Sequence, residues 1–382
     1  MKDQQLALRP ATVCVHTGTH LDRQTAGIGT PIFTSTSYAY PNATDENFYP
    51  RYFNVPNQRV VAKKVAALEK AQDGLVFGSG MAAISTLLMA HLKPGDHALF
   101  QADLYGGTYH FVTTELRAFG IEIGFAATPE EFAAAVRPNT RVIYIESPSN
   151  PLLRCIDIAS VAREAAARHV LTVIDNTFAT PINQTPIELG IDAVVHSATK
   201  YLNGHTDVNA GIVAASEPIV RKVSEFAVNH GGTLDAHACY QLERGLKTLA
   251  LRVKQHNENA NRLARFLADR PEISQVNYPG LESHPGHAVA KRQMRGFGGM
   301  LSFELAEPGR VDKLLSRFRL ATPALSLGGV ETLVCLPSKT SHRSLSAEER
   351  QKAGISPGLV RVSVGIEDIE DLLEDFGQAL RA

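Results

Sequence analysis

Three apolar runs along this chain each lead into a polar residue that a buried strand would not otherwise carry. Arg141–Glu146 reads RVIYIE, Val170–Asp175 reads VLTVID, and the run from Asp192 reads DAVVHSATK and ends on Lys200. Short runs this rich in Val and Ile fit strands buried on both faces. Helix-length segments lie between such runs. Ile158–His169 is rich in Ala and Arg, and the segment from Gln58 contains VVAKKVAALEKA, with apolar residues at helical spacing. His97–Gln101 and Gly211–Ala215 add two further strand candidates. The alternation predicts βαβ units and a mostly parallel sheet, an α/β fold. Ligands of open α/β sheets sit outside the carboxyl ends of the strands. Glu146, Asn150, Asp175 and Lys200 follow such ends and would converge on one crevice.

The pattern changes near Gly245. A long polar helix from Lys247 to about Arg270 leads into the Pro/Gly/His-rich stretch YPGLESHPGH, and the strand-like segments GGMLSFEL and LVRVSVGI follow. Three regions are expected: an extended arm over 1–57, rich in Thr, Pro, Gly and Tyr; a large α/β domain over 58–245; and a smaller α+β domain over 246–382. No internal repeat or low-complexity segment breaks this plan.

Lys200 carries the chemistry of the central segment HSATKYLNGHTD. A lysine at a strand end beside the hydroxyls of Ser197 and Thr199 suits a Schiff base with pyridoxal phosphate, the hydroxyls holding the phosphate. That cofactor needs a carboxylate to keep its ring nitrogen protonated, and Asp175 suits this. Gly78-Ser79-Gly80-Met81-Ala82 is a glycine turn opening the helical run AAISTLLMA, a place where backbone amides bind phosphate. Tyr105, in DLYGGTY, suits stacking on a ring. Arg361, in LVRVSVG, suits a substrate carboxylate, whose two oxygens match the guanidinium fork.

In this order and spacing the motifs resemble the Cys/Met-metabolism (trans-sulfuration) family of pyridoxal-phosphate enzymes, the group of cystathionine γ- and β-lyases, methionine γ-lyase, cystathionine γ-synthase and the O-acylhomoserine sulfhydrylases. The resemblance starts at ATVCVHTG and PIFTSTSY. It continues through FYPR, FGSGMAA, DLYGGTY, ESPSNP, VIDNTFATP, HSATKY and SLGGVETL to LVRVSVGIED. It implies fold type I, the aspartate-aminotransferase-like architecture. It implies Lys200, Tyr105 and Asp175 as catalytic residues, with Lys200 bound to the cofactor and moving protons between Cα, Cβ and the cofactor. Gly80, Met81, Ser197 and Thr199 would hold the phosphate, joined by Tyr49 and Arg51 of a neighbouring subunit. The N-terminal arm would therefore contact that neighbour in a homodimer or homotetramer. Asn150, Ser326 and Arg361 would orient the amino-acid substrate.

The implied activity is cleavage of a carbon–sulfur bond in a sulfur amino acid by β- or γ-elimination, or alternatively a γ-replacement synthase reaction. Four positions depart from the common pattern or bear on the choice. The segment after the Tyr-x-Arg pair reads Asn54-Val55-Pro56-Asn57, one residue longer than usual. Leu325 stands where several cystathionine-processing members carry an acidic residue, and it favours an apolar distal substituent. His110 stands where several relatives carry an arginine for a distal carboxylate; a histidine there binds more weakly and with pH dependence. Gly107 replaces the cysteine typical of methionine γ-lyases. These signals pull in different directions and leave the substrate open.

Bulk composition narrows the alternatives. The 382 residues carry 38 basic and 39 acidic side chains, a net charge of −1, so no broad field favours nucleic acid or an anionic membrane. No apolar run reaches the roughly 18 residues of a membrane span. The start MKDQQLALRP lacks the apolar core of a signal peptide, and the four scattered cysteines fit a reducing compartment. A cytoplasmic location is expected. A metal hydrolase built on His196, His205 and Asp207 would need ligand spacing these residues do not show, and no metal is expected. A catalytically silent relative kept for binding is disfavoured by the presence of Lys200, Asp175, Tyr105 and Arg361.

Overall fold

The computed structural model describes residues 8–39, 47–340, 342–343 and 346–381. Residues 1–7, the start of the stretch tested for a signal peptide, lie outside them. Seven strands form the larger sheet: β1 (Asp73–Phe77), β2 (His97–Gln101), β3 (Glu122–Ala126), β4 (Thr140–Glu146), β5 (Leu171–Asp175), β6 (Ala193–Ser197) and β7 (Gly211–Ala215). Their spatial order is β1-β7-β6-β5-β4-β2-β3. Strands β3, β2, β4, β5 and β6 pair in parallel, and β7 runs antiparallel to both β6 and β1.

The short apolar runs become strands because both faces of this sheet are covered. On β4, Val142 and Tyr144 face one core with Ile84, Leu87 and Leu88 of the helix Gly80–His91. Ile143 and Ile145 face the opposite core with Val161 and Ala165 of the helix Ile158–Ala166. The period-2 alternation of a strand thus distributes one continuous apolar run between two layers.

Five further strands form the second sheet: β8 (Ile273–Asn277), β9 (Met300–Leu305), β10 (Thr322–Pro323), β11 (Leu333–Cys335) and β12 (Leu359–Ser363), in the order β10-β11-β12-β9-β8. The long polar helix expected after Gly245 spans Leu249–Ala268 and follows a separate helix, Ala236–Leu246. Ala260, Leu263, Ala264 and Leu267 recur on one face of the longer helix and pack with Phe303, Val360, Leu372 and Phe376 over the small sheet. That spacing is the apolar stripe of an amphipathic helix.

The N-terminal region is not uniformly extended. Pro10–His16 is a helix with proline in its first turn, where the missing N–H costs nothing. Its Val13 and Cys14 are buried against the helices Pro56–Glu69 and Leu249–Ala268. Seven residues are too few for an apolar period to stand out in sequence, and tertiary contact decides their conformation. The segment Asn54–Asn57 is stitched down by its side chains. Asn54 Oδ1 accepts the Tyr49 N–H at 2.9 Å, and Asn57 bonds Phe33 N at 2.8 Å and Pro31 O at 2.9 Å.

Candidate active site

A cavity of about 630 Å³ opens at the carboxyl ends of the parallel strands and is walled on its other side by the segments around Leu325, Lys339 and Arg361. Two glycines let the backbone close its floor. A Cβ on Gly211 would lie 2.0 Å from the Ser79 carbonyl oxygen, and one on Gly80 would lie 2.9 Å from the Ser197 Cβ. The turn at Ser79–Gly80 therefore crosses β7 and touches the end of β6 with no room for a side chain. Ser79 caps the helix Gly80–His91 by accepting the Ala82 N–H at 3.0 Å. The amides ahead of Ala82 are the first-turn donors that favour an anion at this end.

Lys200 follows β6 in a tight turn, with its N–H on the Ser197 carbonyl at 3.2 Å and its own carbonyl accepting Gly204 N at 2.8 Å. Its Nζ donates to Ser326 Oγ at 2.7 Å. Burial, and secondarily the charge of Arg361, pull the ammonium down to about 8. Asp175 ends β5 and lines the same cavity. Its Oδ1 accepts the Thr177 N–H at 2.9 Å. Burial raises this carboxyl above the usual carboxylate range, against the opposing pull of its Thr177 hydrogen bonds.

Glu146 ends β4 in register with Asp175. Both its oxygens lie 3.0 Å from the Tyr105 N–H. Burial and the nearby Asp175 carboxylate push Glu146 well above its ordinary value. The carboxyl fixes the backbone of Tyr105, a residue 43% exposed at the cavity edge. Gly107 leaves room for the tyrosine ring: a Cβ there would meet Tyr105 Cε1 at 2.6 Å.

Arg361, on β12, is 5% exposed. It donates to Asn150 Oδ1 at 3.2 Å and to the Ser326 carbonyl at 2.9 Å, while its Nε is buried without a partner. An unmatched guanidinium donor beside an open cavity fits a carboxylate that arrives from outside.

Gly80, Met81, Tyr105, Asn150, Asp175, Ser197, Thr199, Lys200, Leu325, Ser326 and Arg361 thus line one cavity. Tyr49, Arg51 and His110 do not. Tyr49 is 40% exposed, and the Arg51 guanidinium donates to the Val228 carbonyl and lies over the rings of Tyr49 and Tyr52. His110 is exposed on the short helix Gly106–Phe111. The cavity also collects Lys339, Thr340 and Arg343, which no motif singled out; their segment has no periodicity to read. His196 is committed elsewhere, buried with its Nε2 2.5 Å from Glu69 Oε1. Among the described residues no group of three or more His, Cys, Asp and Glu side chains is placed to hold a metal ion.

The residues present fit pyridoxal phosphate. An amine with depressed proton affinity, a carboxyl at a neighbouring strand end and a glycine cradle at a helix N-terminus line one cavity. These are the groups that would bind the carbonyl carbon, the ring nitrogen and the phosphate.

Comparison with known proteins agrees. Residues 11–381 match the family described as Cys/Met metabolism PLP-dependent enzyme. The chain is 43% identical over 378 residues to cystathionine gamma-lyase of Bacillus subtilis, covering 98% of this chain and 99% of that one. It is 43% identical over 377 residues to cystathionine beta-lyase of Coxiella burnetii, covering 97% of each. The crystal structure of cystathionine gamma-lyase from Lactobacillus plantarum complexed with L-serine superimposes with a TM-score of 0.94 at 36% identity, covering 98% of this chain and 99% of that one. With the strand-end lysine and aspartate, the glycine cradle and this end-to-end likeness, the chain belongs to the Cys/Met-metabolism family of enzymes that use pyridoxal 5'-phosphate.

Proposed function

We propose that this pyridoxal-phosphate-dependent carbon–sulfur lyase breaks the bond between sulfur and Cβ or Cγ of a thioether amino acid such as cystathionine, releasing a thiol, ammonia and a 2-oxo acid. The observation that carries the reading is the cavity shared by Lys200, Asp175 and Arg361. When bound, the cofactor supplies a sink for the electron pair left at Cα. Arg361, steadied by Asn150 and the Ser326 carbonyl, holds the α-carboxylate and so turns the Cα hydrogen towards a fixed direction. Lys200 takes that proton. An amine poised near 8 can accept a proton and return it within one turnover, which a lysine at its ordinary value does poorly at neutral pH. Asp175 pairs with the ring nitrogen, Tyr105 stacks, and Gly80, Met81, Ser197 and Thr199 hold the phosphate.

In this reading Tyr49 and Arg51 complete the phosphate site of a neighbouring copy, and the working unit is a homodimer or homotetramer. Residues 58–245 form the cofactor domain, 246–382 the smaller domain, and the enzyme acts in the cytoplasm. No helix among the described residues is long and apolar enough to cross a membrane.

Product analysis after incubation of the holoenzyme with cystathionine tests the reaction. Cysteine with 2-oxobutyrate marks γ-elimination, and homocysteine with pyruvate marks β-elimination. If neither pair forms while an acylated homoserine is consumed together with a thiol, the same residues serve γ-replacement, and the lyase reading falls.

A further inference from the structure

The cavity carries more positive charge than cleavage of the carbon–sulfur bond requires. Lys339 closes the single turn Pro337–Lys339, and both it and Arg343 line the cavity together with Leu325. Leu325 is 65% exposed. Among the described residues lining the cavity the carboxylates are Glu146 and Asp175, both at strand ends of the large sheet and both engaged by backbone amides. No carboxylate from the segment carrying Lys339 and Arg343 lines the cavity. Lys339 Nζ lies 2.7 Å from Asp312, but the two side chains are 61% and 73% exposed. Such a pair is weak, and an incoming anion competes with it easily. No described carboxylate forms an ion pair with Arg343. Arg361 is already matched to the α-carboxylate by its buried, unpartnered Nε.

We propose that Arg343, with Lys339, forms an anion-accepting rim that selects substrates whose sulfur-side arm ends in a carboxylate. The inference rests on the lyase reading and deepens it by naming the class of arm. Leu325 offers apolar contact to the methylenes of such an arm, and the guanidinium offers its end a bidentate partner. An arm ending in an ammonium group alone would meet two like charges and no lining carboxylate in this part of the cavity. A methyl-terminated arm would gain only the contact with Leu325.

The test compares two arms of the same shape on the holoenzyme: the S-(2-carboxyethyl) and the S-(3-methylbutyl) thioethers, each made from both cysteine and homocysteine. The ratio of the two KM values is the readout. At low salt the carboxylate arm should be favoured by about tenfold, the scale of one charge-assisted hydrogen bond, and added salt should shrink the preference. Arg343→Ala should abolish most of it by raising KM for the carboxylate arm, with kcat kept. Lys339→Ala should remove a smaller part, and Arg343→Glu should invert the preference. An unchanged ratio in Arg343→Ala overturns the proposal. So does an equal fall of kcat for both arms, which would mark a merely structural residue. If no thioether is cleaved, the lyase reading fails on its own. The arm preference is then read from the change in cofactor absorption on binding, with the same ratio expected and the same overturning result.

Discussion

Lys200 donates its ammonium hydrogen to the Ser326 hydroxyl at 2.7 Å, tying the end of the large sheet to a residue 126 positions further along the chain. The carbonyl of the same serine accepts Arg361 at 2.9 Å. Ser326 has φ of +83°, a left-handed conformation that residues other than glycine seldom adopt. Backbone strain of this kind persists where surrounding contacts over-determine it, and it concentrates at functional sites. One residue thereby orders both the proposed base and the proposed carboxylate clamp, through different atoms.

Those atoms can be separated. Ser326→Ala deletes the hydroxyl and keeps the carbonyl. A hydrogen bond to a charged group contributes about 1.5–3 kcal/mol, so kcat should fall about 10- to 100-fold. KM should change little, because Arg361 keeps its partner. Steady-state kinetics on the cofactor-saturated variant reads both, and an unaltered kcat would show that Lys200 is placed by something else.

The depressed proton affinity of Lys200 predicts a pH dependence in the cofactor-free protein. Only the neutral amine attacks an aldehyde. With the ammonium at about 8, the rate of pyridoxal phosphate incorporation should rise about tenfold per pH unit below that value and level off above it. A midpoint near the ordinary lysine value would remove the role given to burial. Stability follows the same sign. The folded value lies below the unfolded one, so the charged amine opposes folding below about 8, and this penalty fades as pH rises from there towards the ordinary lysine value. Lys200→Met should accordingly stabilise the cofactor-free protein at pH 7 relative to pH 10, which thermal melts at the two values would show.

Arg361→Lys separates charge from geometry. Lysine keeps the positive charge but loses the fork, the bond to Asn150 Oδ1 and the spare Nε donor. Loss of about 2–3 kcal/mol of charge-assisted bonding corresponds to roughly a 30- to 150-fold drop in kcat/KM, expressed mainly in KM. A comparable drop with the corresponding α-amide substrate, which carries no carboxylate, would assign Arg361 a different role.

Much of this arrangement is legible in the amino-acid sequence alone. The runs ending in Glu146, Asp175 and Ser197 are short and β-branched, so length and composition suffice to mark buried strands. The rule that ligands gather at strand ends then groups Asp175 with Lys200. Arg361 is different. It alternates with valines in LVRVS, a pattern equally suited to an exposed edge strand, and only the family resemblance points it inward. In the structure β12 lies between β11 and β9, so Arg361 sits mid-sheet. The helix Pro10–His16 and the cations Lys339 and Arg343 are not legible in this way. Their placement comes from packing between segments far apart in sequence, which leaves no local periodicity. The contact of Glu69 with His196 spans 127 positions and is equally silent.

That contact supports the last prediction. Glu69 closes the helix Pro56–Glu69 with its side chain fully buried. Its Oε1 lies 2.5 Å from His196 Nε2 and accepts Asn176 Nδ2 at 2.8 Å. His196 precedes Ser197, and Asn176 follows Asp175, so one carboxylate fastens the ends of β5 and β6 where the residues proposed to hold the cofactor begin. Glu69→Ala leaves a buried imidazole and a buried amide without this partner, a loss of about 3–5 kcal/mol by analogy with broken buried pairs. Glu69→Gln gives up the carboxylate but, with its carbonyl at the Oε1 position, retains the acceptor that both partners share, and should cost distinctly less. Urea unfolding of the cofactor-free protein measures both. A loss below about 1 kcal/mol for the alanine variant, within the usual range for exposed pairs, would show that the strand ends are held without Glu69. The cofactor-saturated variants should keep kcat near that of the parent enzyme, because no group lining the cavity is removed.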